Sequence, residues 1–285
     1  MKVFRTAAEI RQALEPAERE PIVGFVPTMG AFHEGHVALF RAAKRECDVV
    51  VASVFVNPSQ FNDPADFAAY PRDRSADERV AAASGVDLLF VPSVDDMYPA
   101  GHATWVDVEG PARGFESDFR PGHFRGVATI CVKLFSIVRP DVVFLGQKDA
   151  QQVAVIKQIV RDLNLGLAIR VIPTVRAADG LALSSRNQRL SADDRRRALA
   201  IPRALAAGQA AYQEGGDVVA AARADLADLA IDYVAVADFE GQPTLTIAAR
   251  VGATRLIDNV PLGASRELHE RPAGDRAASS KGVGS

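Results

Sequence analysis

IVGFVPTMGAFHEGHVALFRAAKREC, residues 22–47, sets the architecture of this chain. Ile22 to Val26 form a short apolar, β-prone run of the kind that makes a buried strand. Phe40, Ala43 and Cys47 recur at three- and four-residue steps, the spacing of one helix face. Between strand and helix lies PTMGAFHEGH, Pro27 to His36, where Gly30 and Gly35 permit a tight turn and close approach of backbone to a ligand.

The same alternation continues outward. Val49 to Val56, Asp87 to Val91, Asp141 to Leu145 and Ala168 to Val175 read as further strands. Helical stripes separate them, as in Val127, Ile130, Leu134 and Ile137, and in Val153, Ile156, Val160 and Leu163. Continuous apolar strands joined by amphipathic helices require a sheet covered on both faces, because each crossover helix must bury its own stripe. The expected fold is α/β, a Rossmann-like doubly wound parallel sheet whose ligands sit beyond the carboxyl ends of the strands.

After Val175 the pattern changes. Ser191 and Asp194 form a capping signal for an Arg/Ala-rich helix running toward Tyr212, and Asp217 to Leu229 reads as another helix. Ile231 to Phe239 and Ala253 to Val260 read as strands linked by turn-rich sequence. We therefore expect a nucleotide-binding unit over 1–175, a smaller C-terminal α+β unit over 176–262, and a disordered tail over 263–285, where large apolar residues are nearly absent.

Composition narrows the function. A net charge of −3 provides no basic field for a nucleic acid or an anionic membrane surface. Apolar runs reach only about eight residues, short of the roughly 20 that span a bilayer. The N-terminal residues lack the apolar segment of a secretory signal, and the two cysteines, Cys47 and Cys131, make no disulfide framework. The expectation is a soluble, cytoplasmic protein acting on small molecules.

Three segments carry chemistry. In PTMGAFHEGH, His33 and His36 stand three residues apart across the turn into a helix, whose unpaired N–H groups would make an anion site. Two imidazoles there can donate hydrogen bonds to phosphate oxygens as charge builds during attack at phosphorus. A Walker loop is excluded, since His36 and Val37 follow Gly35 where Lys and Ser/Thr are required. A zinc site is disfavoured, because a helical HExxH spaces its histidines by four and a third ligand is lacking.

The second segment is FLGQKDAQQ, Phe144 to Gln152, at the end of a strand. Gly146 gives room for a nucleotide, Lys148 can neutralise phosphate charge, Asp149 can accept from ribose hydroxyls, and Gln152 can reach a second substrate. Taken alone it is equally a solvated helix start. The third is LALSSRN, Leu181 to Asn187, in which Arg186 suits the β- and γ-phosphates and Ser184 and Ser185 suit phosphate oxygens. Such a string is also common in ordinary loops. Asn57 to Asp73 shows neither period and reads as a loop over the site, either a lid or merely a long surface loop, with Gln60 able to grip a polar substrate. RPGHFRGV adds His123 and Arg125, which could position an acid, though His123 reads rather as a structural or rim residue.

Together PTMGAFHEGH, VNPSQF, YPRD, GHFRGV, FLGQKDAQQ and LSSRN, in this order over about residues 22 to 190, resemble the pantothenate synthetase family of the HxGH nucleotidylyltransferase superfamily. The resemblance implies ATP-dependent condensation of pantoate with β-alanine through a pantoyl adenylate, with Mg2+ balancing the triphosphate and a homodimeric assembly. It implies catalytic roles for His36, His33, Lys148 and Arg186. It places ATP against Met29, Gly30, Ala31, Phe32, His33, Glu34, Gly35 and His36, against Gly146, Gln147, Lys148 and Asp149, and against Val175, Leu183, Ser184, Ser185 and Arg186. Gln60 and Gln152 would hold pantoate, with Gln60 also meeting β-alanine. Three positions depart from the family's usual residues: Gln147 stands for glutamate, Phe32 for leucine and Leu183 for methionine. No protein ligand of Mg2+ is assigned, Asp77 being a weak candidate. Two rival functions stand beside this one: a nucleotidylyltransferase that leaves the nucleotide on a phosphorylated acceptor, and a nucleotide sensor without turnover.

Overall fold

A computed structural model describes residues 1–15, 21–239 and 241–263. The chain opens with β1 (Lys2–Phe4), α1 (Ala7–Ala13), β2 (Val23–Val26), α2 (Glu34–Glu46) and β3 (Val49–Ser53). It continues through α3 (Pro64–Ala68), α4 (Arg74–Ala83), β4 (Leu88–Phe90), α5 (Val94–Met97), α6 (Glu116–Phe119), α7 (His123–Val138), β5 (Val142–Gly146), α8 (Ala150–Asp162) and β6 (Ala168–Ile172). The six strands form one sheet in the order β1-β4-β3-β2-β5-β6, with every pairing parallel. This is the expected doubly wound sheet, with β1 added at its edge beside β4.

Both faces are covered, which explains the uninterrupted apolar strands. On one face Phe25, Val51 and Val143 pack under α7 and α8 through Val127, Ile130, Leu134, Val153 and Ile156. On the other, Val26, Val50 and Phe144 meet Phe40 and Ala43 of α2, its C-cap Cys47, and Ala81 of α4. The stripe expected on α8 ends early, since Leu163 lies beyond the last turn and is 48% exposed. Cys47 and Cys131 are free and buried, and burial pushes their thiols up to about 11 and about 12.

Beyond β6 come α9 (Ala192–Ala198), α10 (Ala200–Gln213), α11 (Val218–Ala224), β7 (Ala230–Asp238), β8 (Pro243–Val251) and β9 (Thr254–Pro261). The strands form an antiparallel meander, β7-β8-β9, packed on α10 and α11 through Leu205, Ala222, Leu245 and Ile247. Ser191 caps α9 by accepting from Asp194 N at 3.0 Å, as expected. The single helix expected toward Tyr212 is instead broken at Leu199. Pro202 has no N–H to offer the Ala198 carbonyl, so the first helix ends and the proline falls in the first turn of the next. Turn-rich sequence hid β8, the central strand, whose Thr244 and Thr246 are buried. The tail expectation concerns residues that, from 264 onward, lie outside those described.

Candidate active site

The sheet reverses its winding between β2 and β5, which are neighbours although far apart in sequence. A crevice necessarily opens there beyond the carboxyl ends of the strands, and the turn after β2 and the turn after β5 both enter it. The resulting cleft has a volume of about 260 Å³. It is lined by Met29, His33, Gly35 and His36 from the first turn, and by Gly146, Lys148, Asp149 and Gln152 from the second. Val175, Leu183, Ser184, Ser185 and Arg186 come from the segment after β6, and Gln60 from the segment after β3. All three chemistry-bearing segments thus meet in one place.

The histidine turn is held by backbone geometry. Gly30 has φ of +80° and Ala31 follows at +54°. A Cβ on Gly30 would approach Asp77 Oδ2 to 2.7 Å. Asp77, buried on α4, accepts from Ala31 N at 3.0 Å and Phe32 N at 2.7 Å, so each carboxylate oxygen braces one amide of the turn. Thr28 ties the end of β2 to β3 by donating to the Ser53 carbonyl at 2.5 Å and accepts from Gly30 N at 3.0 Å.

The unpaired helix-start amides expected here are corrected by the structure. His33 is itself the N-cap of α2 and its Nδ1 accepts from Gly35 N at 3.1 Å, while His36 Nδ1 accepts from His33 N at 3.2 Å. An Nδ1 that accepts a hydrogen bond leaves the proton of a neutral imidazole on Nε2. The two rings, 4.3 Å apart between centroids, are thereby both set as Nε2–H donors. Burial and the Lys148 charge hold His33 down to about 4. Burial, His33 and Lys148 hold His36 down to about 3. Both are therefore neutral at ordinary pH.

Of the expected nucleotide contacts, Gly30, Ala31, Phe32, Glu34 and Gln147 do not line the cleft. Phe32 packs against Phe40 and His36 from behind, with centroids 5.0 and 5.2 Å away. Glu34 is exposed in the first turn of α2. Gln147 faces the meander, donating to Asn259 Oδ1 at 3.2 Å, while Asn259 donates to the carbonyls of Gln147 and Lys148 at 3.1 and 2.8 Å. Lys148 Nζ is 3.3 Å from Asp149 Oδ1.

Gln60 sits in a 3₁₀ turn, Pro58–Gln60, capped by Asn57. Its side-chain amide donates to Met29 Sδ at 2.9 Å and accepts from Asn57 Nδ2 at 3.0 Å. Its carbonyl accepts from His123 Nδ1 at 2.9 Å, and Arg120 Nη1 lies 3.1 Å from His123 Nε2. Since an arginine only donates, His123 must carry its proton on Nδ1. Burial and then the Arg120 charge hold His123 down to about 3, so it serves as a neutral prop for Gln60. Arg125 points elsewhere, exposed beside Asp107 and over the Trp105 ring, and does not line the cleft.

Sequence reading overlooked several residues of the cleft. Glu116 accepts two hydrogen bonds from Arg255 at 2.8 and 2.7 Å and one from Tyr233 at 2.9 Å, joining the meander to the rim beside Arg120. Burial opposes ionisation, but the hydrogen bonds and charge of Arg255 outweigh it and hold the carboxyl below its ordinary range. Tyr70 and Thr174 also line the cleft, and Thr174 Oγ1 has no hydrogen-bond partner among the described residues. None of these lies in a glycine- or histidine-rich string, so only their convergence in space reveals them.

A histidine turn at the switch point of a parallel sheet, faced by a lysine-bearing turn, defines a nucleotide-binding α/β enzyme of the HxGH type. The comparisons narrow the class. The family model described as pantoate-beta-alanine ligase matches residues 2–261, and the chain belongs to that family. It is 51% identical over 257 residues to pantothenate synthetase of Acidobacterium capsulatum, covering 85% of this chain and 86% of that protein. With the enzyme of Moorella thermoacetica it shares 48% identity, over 92% of this chain and 99% of that one. Among solved structures, pantothenate synthetase of Thermus thermophilus superposes with a TM-score of 0.87 at 44% identity, covering 92% of this chain and 99% of that chain. Pantoate-beta-alanine ligase of Francisella tularensis, complexed with beta-gamma ATP and beta-alanine, superposes at 0.81 with 36% identity, covering 92% and 98%.

Proposed function

We propose that this protein is a pantothenate synthetase, which condenses pantoate with β-alanine at the expense of ATP through a pantoyl-adenylate intermediate. The observation that carries this reading is the convergence of His33 and His36, Lys148, and Ser184 to Arg186 on one cleft, with Gln60 and Gln152 beside them. Family membership supplies the substrates.

In this mechanism a carboxylate oxygen of pantoate attacks the α-phosphorus of ATP and pyrophosphate leaves. Charge accumulates on the α-phosphate oxygens, and the Nε2–H groups of His36 and His33 are already pointed by their Nδ1 bonds, so little reorganisation is needed. Lys148 adds a positive charge to the same oxygens, and Arg186 with Ser184 and Ser185 holds the departing phosphates. Pantoate is held by the amides of Gln60 and Gln152. Gln60 donates here only to a thioether, a weak acceptor that a substrate oxygen displaces readily. The β-alanine amine then attacks the acyl carbon, and AMP departs to leave an amide.

Mg2+ belongs to this proposal as the counter-ion of the triphosphate. No group of three or more His, Cys, Asp or Glu suited to a metal occurs among the described residues, and each Asp77 oxygen already accepts from a backbone amide, so the triphosphate itself is the ligand this reading gives the ion. The same reading includes a homodimer, by family resemblance, and a cytoplasmic location. In support of the latter, no described helix is long and apolar enough to cross a membrane. It also includes a division near residue 176 between a nucleotide-binding unit and a small unit that roofs the cleft through Asn259 and Arg255.

The test is AMP formation with pantoate and ATP-Mg, with and without β-alanine. β-Alanine-dependent AMP release is expected, and nucleotide found on another acceptor would refute the assignment. His36→Ala should fold normally and slow pyrophosphate release by orders of magnitude.

A further inference from the structure

Arg186, assigned above to the terminal phosphates, is already engaged. Its Nη2 lies 2.9 Å from Asp66 Oδ2 on α3, and the other oxygen of Asp66 accepts from Arg189 Nη1 at 2.8 Å. One carboxylate therefore bridges two guanidinium groups, each of them partly exposed, at 26% and 32% of the side chain. Two forked donors converging on one small anion is how arginine pairs hold a phosphate group.

The surroundings lead the same way. A second cavity, of about 390 Å³, adjoins the cleft and shares Lys148, Ser184 and Arg186 with it. Its lining includes Arg189, together with Arg250 and Arg255, which pair with Asp232 and Glu116, and the carboxylates of Asp63 and Asp258. The segment after β3, expected as a loop but carrying α3, is fastened to the Ser-Arg turn at three points: Asp66, the Ala69 carbonyl, which accepts from Arg189 at 3.1 Å, and Tyr70 OH, 3.5 Å from Ser185 Oγ. A single negative charge between two arginines leaves one positive charge uncompensated, and a multiply charged anion satisfies the pair better.

We propose that Arg189 is a second phosphate-binding arginine, that Asp66 occupies the Arg186–Arg189 pair as an exchangeable stand-in, and that pyrophosphate leaves through the second cavity across Arg189. The inference rests on the reading of Arg186 given above. Asp66 is then a competitor of the leaving product, keeping pyrophosphate from lingering by taking back both guanidiniums as it goes.

Product inhibition by pyrophosphate, measured on the full chain against ATP, tests this. Asp66→Asn removes the competing charge and should lower the pyrophosphate inhibition constant about tenfold, the size of one charge-assisted hydrogen bond. Arg189→Gln should raise it by a similar factor, and in the double variant the gain from Asp66→Asn should largely vanish. An unchanged constant in both single variants overturns the proposal. So does weaker pyrophosphate binding in Asp66→Asn, which would make Asp66 a brace that orients the arginines. Arg189→Gln leaves Asp66 paired with Arg186 and carries the test alone if Asp66→Asn does not fold. Arg186→Ala separates the two levels: no effect on ATP or pyrophosphate refutes the reading of Arg186, whereas a large effect there with none at Arg189 refutes only the present inference.

Discussion

Replacing Gly126 by Ala probes how tightly Gln60, proposed above to hold pantoate, is positioned. Gly126 lies in α7 where the helix crosses the 3₁₀ turn, and a Cβ there would fall 2.3 Å from the Ser59 carbonyl oxygen and 2.7 Å from Gln60 N. Both are backbone atoms, so no side chain can swing aside. Reaching a tolerable 3.0–3.4 Å demands a shift of about 0.7–1.1 Å in the turn that carries Gln60. Overpacking of this kind costs about 1–3 kcal/mol, partly offset by the roughly 1 kcal/mol that alanine gains over glycine in a helix. The protein should therefore stay folded, with stability lowered by no more than about 2 kcal/mol. A misplacement near 1 Å in a positioning group lowers turnover by up to about a hundredfold. Steady-state kinetics at saturating ATP should show kcat/KM for pantoate reduced at least about tenfold, with KM for ATP nearly unchanged. A folded Gly126→Ala enzyme whose pantoate kinetics match the parent would refute both the packing argument and the role of Gln60.

Further outcomes follow from the charges. His33, His36 and His123 are held at about 4, about 3 and about 3, below the ordinary 6.5, so the native state stays neutral while the unfolded chain takes up protons. Their contribution to stability is present in full above pH 6.5 and is lost as pH falls toward 4 and 3, which denaturant titration across that range should show. NMR titration of these three imidazoles should show no protonation near pH 6.5, and a step there would refute their neutral state. Asp77→Asn leaves one turn amide short of an acceptor, costs about 1–3 kcal/mol and raises KM for ATP without moving the Mg2+ half-saturation, whereas a large Mg2+ shift would make Asp77 a ligand. Arg255→Met takes the shared cation from the Glu116 and Asp232 carboxylates, leaving Glu116 with Arg120 and Tyr233, and should cost about 3 kcal/mol in chemical denaturation, part of it recovered by adding Glu116→Gln.

The inner strands β2 to β5 of the parallel sheet were legible because they are buried and show as apolar runs, whereas the mostly exposed edge strand β1 was not read. The meander was only half legible: β8 lies between the other two strands, and its buried threonines and leading Gly-Gln-Pro disguise it as a turn. The histidine turn, the lysine turn and the Ser-Arg loop could be read from residue type, since each string combines donors with conformational freedom. How the histidines act could not, because their tautomers depend on which amide each Nδ1 faces. Nor could Glu116, Arg255 or Asp66, whose partners stand 139, 139 and 120 residues away in sequence.

The rung that Asn259 makes to the carbonyls of Gln147 and Lys148 has a mechanical consequence. It rivets the antiparallel sheet to the peptide bearing the lysine, so β9 cannot shift away without either snapping these bonds or dragging the Lys148 backbone along. As long as the rung holds, the meander and the lysine turn move as one piece, and any displacement of β9 is handed directly to the Lys148 backbone.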